Sequence, residues 1–171
     1  MLYGQLDEKN ENLKFMGKEI DLLINYPKPK RNLNKRASEK SKDNVSIARK
    51  FGKEFFDGDR EHGYGGFKYD PKFWQPVIPT FKKYWNLTSE NSILDVGCAK
   101  GFMLFDLYKM IPGINLAGVD ISEYAINNSP EEIKKNLTIA NVKKLPFPPK
   151  SFDVVISINT IHNLEKDECA L

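Results

Sequence analysis

Apolar positions fall into two textures along the chain, and the change comes after Asn91. Beyond it they gather in short runs separated by helical spacing. Residues 93–96, Ile-Leu-Asp-Val, form an apolar strand that runs into glycines. Phe102, Leu104, Phe105, Leu107, Tyr108 and Ile111 recur on one helical face, and Pro112-Gly113 stops it. Residues 115–119 predict a second strand ending at Asp120, and Ser122 is positioned to cap a helix over 123–127. Residues 137–140 and 152–158 predict a third and a fourth strand, with a final helix beginning near Thr160. Apolar strands alternating with helices are the signature of a parallel α/β sheet.

The first ninety residues read differently. Residues 1–42 are polar and basic, with turn signals at Tyr26-Pro27-Lys28-Pro29 and one short strand or turn over 21–26. From Asp43 the stripe Val45, Ile47, Ala48, Phe51 and Phe55 predicts one helix, capped by Ser41 or Asp43 and stopped at Gly58. A glycine- and aromatic-rich loop follows, Gly63-Tyr64-Gly65-Gly66-Phe67, and Pro76 and Pro79 start a helix through Phe81, Tyr84 and Trp85. The expected organisation is a basic extended arm (1–42), a helical cap with a Gly/Tyr loop (43–88) and a partial Rossmann-like core (89–171).

Composition narrows the function classes. With 171 residues, 40% hydrophobic and 29% charged, the chain can build one core with an extension. No run approaches the roughly 18 apolar residues of a membrane span, and no secretory signal pattern opens the chain, so a cytoplasmic protein is expected. Two cysteines, Cys98 and Cys169, and two histidines, His62 and His162, lack metal-ligand spacing, and no metal is expected. The net charge of +3 is small but unevenly placed. Between Lys28 and Lys53 ten basic residues face only Glu39 and Asp43, leaving the remainder of the chain net acidic.

The chemistry concentrates at the loop Asp95-Val96-Gly97-Cys98-Ala99-Lys100-Gly101, which leaves a strand and enters a helix. Glycine lets such a backbone turn sharply and approach a ligand, and the helix N-terminus suits an anionic group. Asp120 ends the next strand, where a carboxylate can accept both hydroxyls of a ribose. These two features fit a dinucleotide site equally well, although Gly-x-Gly-x-x-Gly is absent.

Two further blocks, Ala140-Asn141-Val142-Lys143-Lys144-Leu145-Pro146-Phe147 and Ser151-Phe152-Asp153-Val154-Val155, complete an ordered set. Together with DVGCAKG and GVDIS it resembles the class I S-adenosylmethionine (SAM) methyltransferases, in particular the small-molecule, type 11-like branch with the pattern A-D-x-x-x-L-P-F…F-D-x-V. The resemblance implies a mostly parallel sheet of strand order 3-2-1-4 with SAM as cofactor. It implies that Asp95, Gly97 and Gly101, with the Cys98 and Ala99 backbone, line the methionine end. Asp120 would hold the ribose, Ile121 would pack on adenine, and Asn141 and Val142 would meet its edge and face. Asn159 would sit near the methyl donor. Asn141 stands where the family usually has Asp, and Ala99 where it often has Gly.

The family fold continues past its fourth strand, whereas Leu171 falls within the helix after it. A fragment, a chain completed by another or homo-oligomeric chain, and a non-catalytic remnant are the three readings of that end. Methyl transfer needs alignment more than a base. His162 is the candidate base and Tyr64 a candidate lid residue. Each also has an ordinary structural role open to it, a polar helix start and a turn aromatic packed on Phe67 or Tyr69. The basic segment 28–53 reads as a solvated arm, then as a patch for a phosphate-bearing acceptor. Nucleic acid comes third, because no aromatic ladder interleaves the charges. The lead RNLNKRASEK…KFGKEFFDG…GYGG resembles that of bacterial methyltransferases of surface-polysaccharide synthesis. A small-molecule acceptor, a sugar or glycan intermediate among the options, is therefore expected; an RNA methyltransferase and an NAD-type oxidoreductase are the alternatives.

Overall fold

A computed structural model describes residues 19–28 and 41–164. Most of the expected basic arm, the stretch 29–40 and the chain beyond Leu164, Cys169 included, lie outside the described residues. The predicted sheet forms. Strands β1 (Ser92–Val96), β2 (Asn115–Asp120), β3 (Leu137–Ile139) and β4 (Val154–Ile156) pair in the order β3-β2-β1-β4. Every pairing is parallel, with Asp95 opposite Gly118 on one side and Ile156 on the other.

Strand periodicity sends alternate β1 residues to opposite faces. Ile93 joins the larger core with Phe81, Leu104, Leu107 and Ile133, while Leu94 and Val96 meet Val119 in a smaller cluster flanked by Val142, Phe147 and Phe152. The helices are α1 (Lys42–Ala48), α2 (Lys53–Asp57), α3 (Pro71–Trp74), α4 (Ile78–Trp85), α5 (Phe102–Met110), α6 (Glu123–Asn127) and α7 (Glu131–Lys134). Ser122 caps α6 as expected, its hydroxyl accepting from the Ala125 N–H at 3.0 Å. Asp70 caps α3, and neither α3 nor α7 is announced by apolar periodicity in so few residues.

The single helix expected from Asp43 to Gly58 is corrected to two. Ser41 does cap the first, accepting from Asn44 N–H, but the chain breaks after Ala48 and Phe51 adopts φ +47°. Tertiary contacts hold that bend: the Phe51 carbonyl accepts from the Ser122 hydroxyl at 2.5 Å, and its ring meets Phe55 edge-on. Residues 21–26 form turns rather than a strand, with Tyr26 packed on Phe73 and Trp74. The helix expected near Thr160 is a short 3-10 turn, Ile161–Asn163, within the described residues.

Two polar anchors fasten the lead to the sheet domain. Tyr69 donates to Asp106, buried in α5, at 2.6 Å, and Gln75 donates to the same oxygen at 3.2 Å. The second anchor is at Lys100. Its buried ammonium reaches Asp57 at 2.6 Å and the Phe67 carbonyl at 2.8 Å. Asp57 also accepts from the Tyr124 hydroxyl at 2.7 Å and the Phe67 N–H at 2.9 Å. Burial pushes the Asp57 carboxyl up, but the bonds from Lys100, Tyr124 and Phe67 and the Lys100 charge outweigh it, and the group titrates near 2.

Candidate functional site

At the C-terminal ends of β1 and β2, where ligands bind in open α/β sheets, the glycine loop folds back on its neighbour strand. The N–H groups of Gly97 and Cys98 donate to the Val119 carbonyl at 2.8 and 3.0 Å, and Gly101 N–H donates to Cys98. Ala99, at φ +51°, donates to Asp120 Oδ2 at 2.8 Å, and Ser122 N–H donates to Asp120 Oδ1 at 2.8 Å. Several loop donors are thus spent within the chain. The loop is shaped in advance rather than held open as a row of free N–H groups.

Asp120 organises the loop and also faces a cavity of ≈ 260 Å³. Gly97, Ala99, Ile121, Asn141, Val142, Asn159 and Tyr64, all singled out in the sequence, line the same cavity. Asp95, Cys98 and Gly101 do not. Asp95 is buried below the loop, Cys98 belongs to the larger core, and Gly101 packs against Ile133 and Leu137. The backbone of His162 lies in the 3-10 turn, and its side chain is outside the described residues.

Burial, and then the charge of Asp120, push the Asp95 carboxyl up to about 7. Burial also raises Asp120, against the N–H donors of Ser122, Ala99 and Ile121. Burial first, then the charges of Asp95 and Asp120, drive the Cys98 thiol well up, which favours the neutral thiol over the thiolate.

Sequence reasoning missed the roof. Phe51, Phe55 and Phe56 come from the lead, and Thr160 from the loop after β4. Tyr64 stacks on Phe56 and packs on Phe67 with ring centroids 4.4 Å apart, so it has both the turn-aromatic role and a cavity face. Its loop returns to α2 through Tyr64 N–H to Phe55 O at 2.9 Å and Gly66 N–H to Phe56 O at 3.0 Å. Phenylalanines near a glycine-tyrosine loop were the available signal; which cavity they roof depends on the Lys100 anchor.

Gly97 is irreplaceable for two reasons. It sits at φ +85°, and a Cβ there would overlap the Thr160 hydroxyl. Gly97→Ala is expected to cost roughly 1–3 kcal/mol and to displace the Thr160 wall, read as a lower thermal unfolding midpoint.

A family model described as a methyltransferase domain matches residues 87–171. Over 70 residues the chain is 37% identical to a mitochondrial arginine-hydroxylase, NDUFAF5, of Rattus norvegicus, covering 40% of this chain and 20% of that protein. It is 34% identical over 74 residues to a malonyl-[acyl-carrier protein] O-methyltransferase of Legionella pneumophila, covering 41% and 26%. The chain thus spans only about a quarter of the length of these relatives. In fold it is similar to a phosphoethanolamine N-methyltransferase 2 of Haemonchus contortus, solved with S-adenosyl-L-methionine. The TM-score is 0.52 and the identity 19%, over 73% of this chain and 32% of that one. Among the described residues no helix is long and apolar enough to cross a membrane.

Proposed function

We infer that this chain, whose residues 87–171 belong to the class I SAM-dependent methyltransferases, binds SAM in the 260 Å³ cavity and serves methyl transfer to a small-molecule acceptor. The observation that carries this reading is the convergence of separate sequence blocks on one cavity around the Asp120 carboxylate. Asp120 is the ribose acceptor. Ile121 and Val142 are apolar faces for adenine, and the Asn141 amide oxygen can accept from its amino group without charge assistance. Asp95 lies under the methionine end and, once ionised, supplies negative potential to a ligand that carries a sulfonium and an ammonium. SAM itself supplies the electrophilic methyl group. The chain's part is to align donor and acceptor and to exclude water with the Phe51, Phe55, Phe56 and Tyr64 roof. The lead 43–88 is, in this reading, a cap on the core.

Asp95 gives the test a pH signature. Its carboxyl is protonated in the fold and ionised in the unfolded chain between pH 4 and about 7. Its contribution to stability is therefore full below pH 4 and lost as the pH rises to about 7. A cationic ligand favours the ionised form, so SAM affinity runs the other way and rises toward pH 7. Calorimetric titration at pH 6 and 8 is expected to give about fivefold tighter binding at pH 8 for a one-unit shift of the Asp95 carboxyl on binding, and Asp95→Asn to flatten the difference. No heat with SAM at either pH would overturn the reading.

The rat relative's name, an arginine hydroxylase, supports a second reading, an adenosyl pocket that does not transfer methyl. Label from methyl-labelled SAM appearing in an acceptor excludes it.

A further inference from the structure

A second cavity of ≈ 480 Å³ opens beside the first and shares a wall with it: Phe51, Phe55, Tyr64, Asn159 and Asn163 line both. Its far side is built by the lead, from Asn44 and Arg49 at α1 and from Arg60, Glu61 and His62 before the Gly/Tyr loop. Most of these polar groups have their work inside the chain. Arg60 holds the loop through the Gly63 and Tyr64 carbonyls at 2.8 and 2.7 Å. Glu61 accepts from the Asn44 amide at 3.1 Å. The buried His62 Nδ1 stands 3.8 Å from Glu54 Oε2 and makes no hydrogen bond among the described residues. Arg49 differs: among the described residues no carboxylate pairs with its guanidinium, and it is exposed on the cavity wall.

We propose that this second cavity is the acceptor site and that it takes a small anionic molecule with a flat, ring-sized apolar body. Its carboxylate or phosphate lies on Arg49 and its body against Phe51, Phe55 and Tyr64. The proposal rests on the SAM reading of the first cavity, because the shared wall is what brings the two ligands together. Three features select that occupant. The volume suits a small molecule rather than a chain segment. Aromatic faces on the shared wall favour a planar body. Among the described residues Arg49 and Arg60 line the cavity against a single carboxylate, Glu61, so its balance of charge is positive, and a guanidinium fork matches carboxylate or phosphate geometry.

The test uses the 171-residue chain with S-adenosylhomocysteine present, and benzoate, phenyl phosphate and neutral phenol as probes. Ligand-observed NMR titration is expected to show benzoate or phenyl phosphate binding at least about tenfold more tightly than phenol, with the preferred anion identifying the head group. Arg49→Gln is expected to abolish that preference, and Arg49→Lys to restore part of it. Equal binding of all three probes, binding of none, or an anion preference that survives Arg49→Gln would each overturn the proposal. A parallel titration of Arg49→Gln with SAM keeps the two readings apart. Loss of SAM binding in the unsubstituted chain, with the anion preference intact, sinks the donor assignment alone.

Discussion

Asp120→Ala is expected to lower SAM affinity by at least about 100-fold, close to 2.7 kcal/mol, and to destabilise the fold at the same time. Both effects follow from one carboxylate. Oδ2 accepts from Ala99 and Oδ1 from Ser122, each at 2.8 Å, so the substitution orphans two N–H groups. Hydrogen bonds to a charged group contribute about 1.5–3 kcal/mol each. Part of that is returned because a charge disfavoured by burial is removed. A net loss of about 2 kcal/mol in urea unfolding is expected. Ala99 depends on its bond most, since a non-glycine residue at φ +51° needs an external hold. Asp120→Asn retains one acceptor and should fall between. Calorimetry and unfolding must be read together: a less stable protein that binds SAM with unchanged affinity would remove Asp120 from the ribose.

Breaking the Lys100 anchor is the second large effect. Lys100→Met is expected to cost about 2 kcal/mol, below the range for a fully buried pair because Asp57 is only half-buried. It leaves Asp57 with Tyr124 and the Phe67 N–H but no cation. The roof should loosen with it, because Phe67 packs against Tyr64. The double variant Lys100→Met/Asp57→Leu is expected to recover much of the loss, since replacing both charges by apolar groups is often close to neutral. The pair also sets an acid limit. Asp57 titrates near 2 in the fold and near 3.8 when unfolded, so its stabilisation is present above about pH 4 and lost as the pH falls toward 2. Urea unfolding at pH 7 and pH 3 checks both. A double variant no better than Lys100→Met would show that the charge itself is not what the anchor requires.

Local chemistry was legible along the chain. Residues 93–96 and 115–119 carry short apolar runs bounded by turn residues, and Ser122 sits where a cap is needed. Asp120 could be placed at the cavity because a strand end fixes its direction. What could not be read depends on contacts between distant residues. The break at Phe51 is held by Ser122, 71 positions away, and a helical stripe through Phe55 hides it. Lys100 lay inside a quoted motif, yet its partner Asp57 is 43 residues earlier, and nothing local joins the two. The second cavity exists only because those contacts fold the lead over the sheet. Asn141 and Val142, which only the family resemblance singled out, line the cavity two and three residues after β3.

Asp57 has one more consequence. A single side chain gathers Lys100 from the glycine loop, Tyr124 from α6 and the Phe67 backbone from the lead. That carboxylate ties three separate stretches of chain at one point, alongside the Tyr69–Asp106 anchor and the Ser122–Phe51 bond. The amides of Tyr64, Gly66 and Phe67, which bond at or next to this point, are expected to gain or lose protection from solvent exchange together.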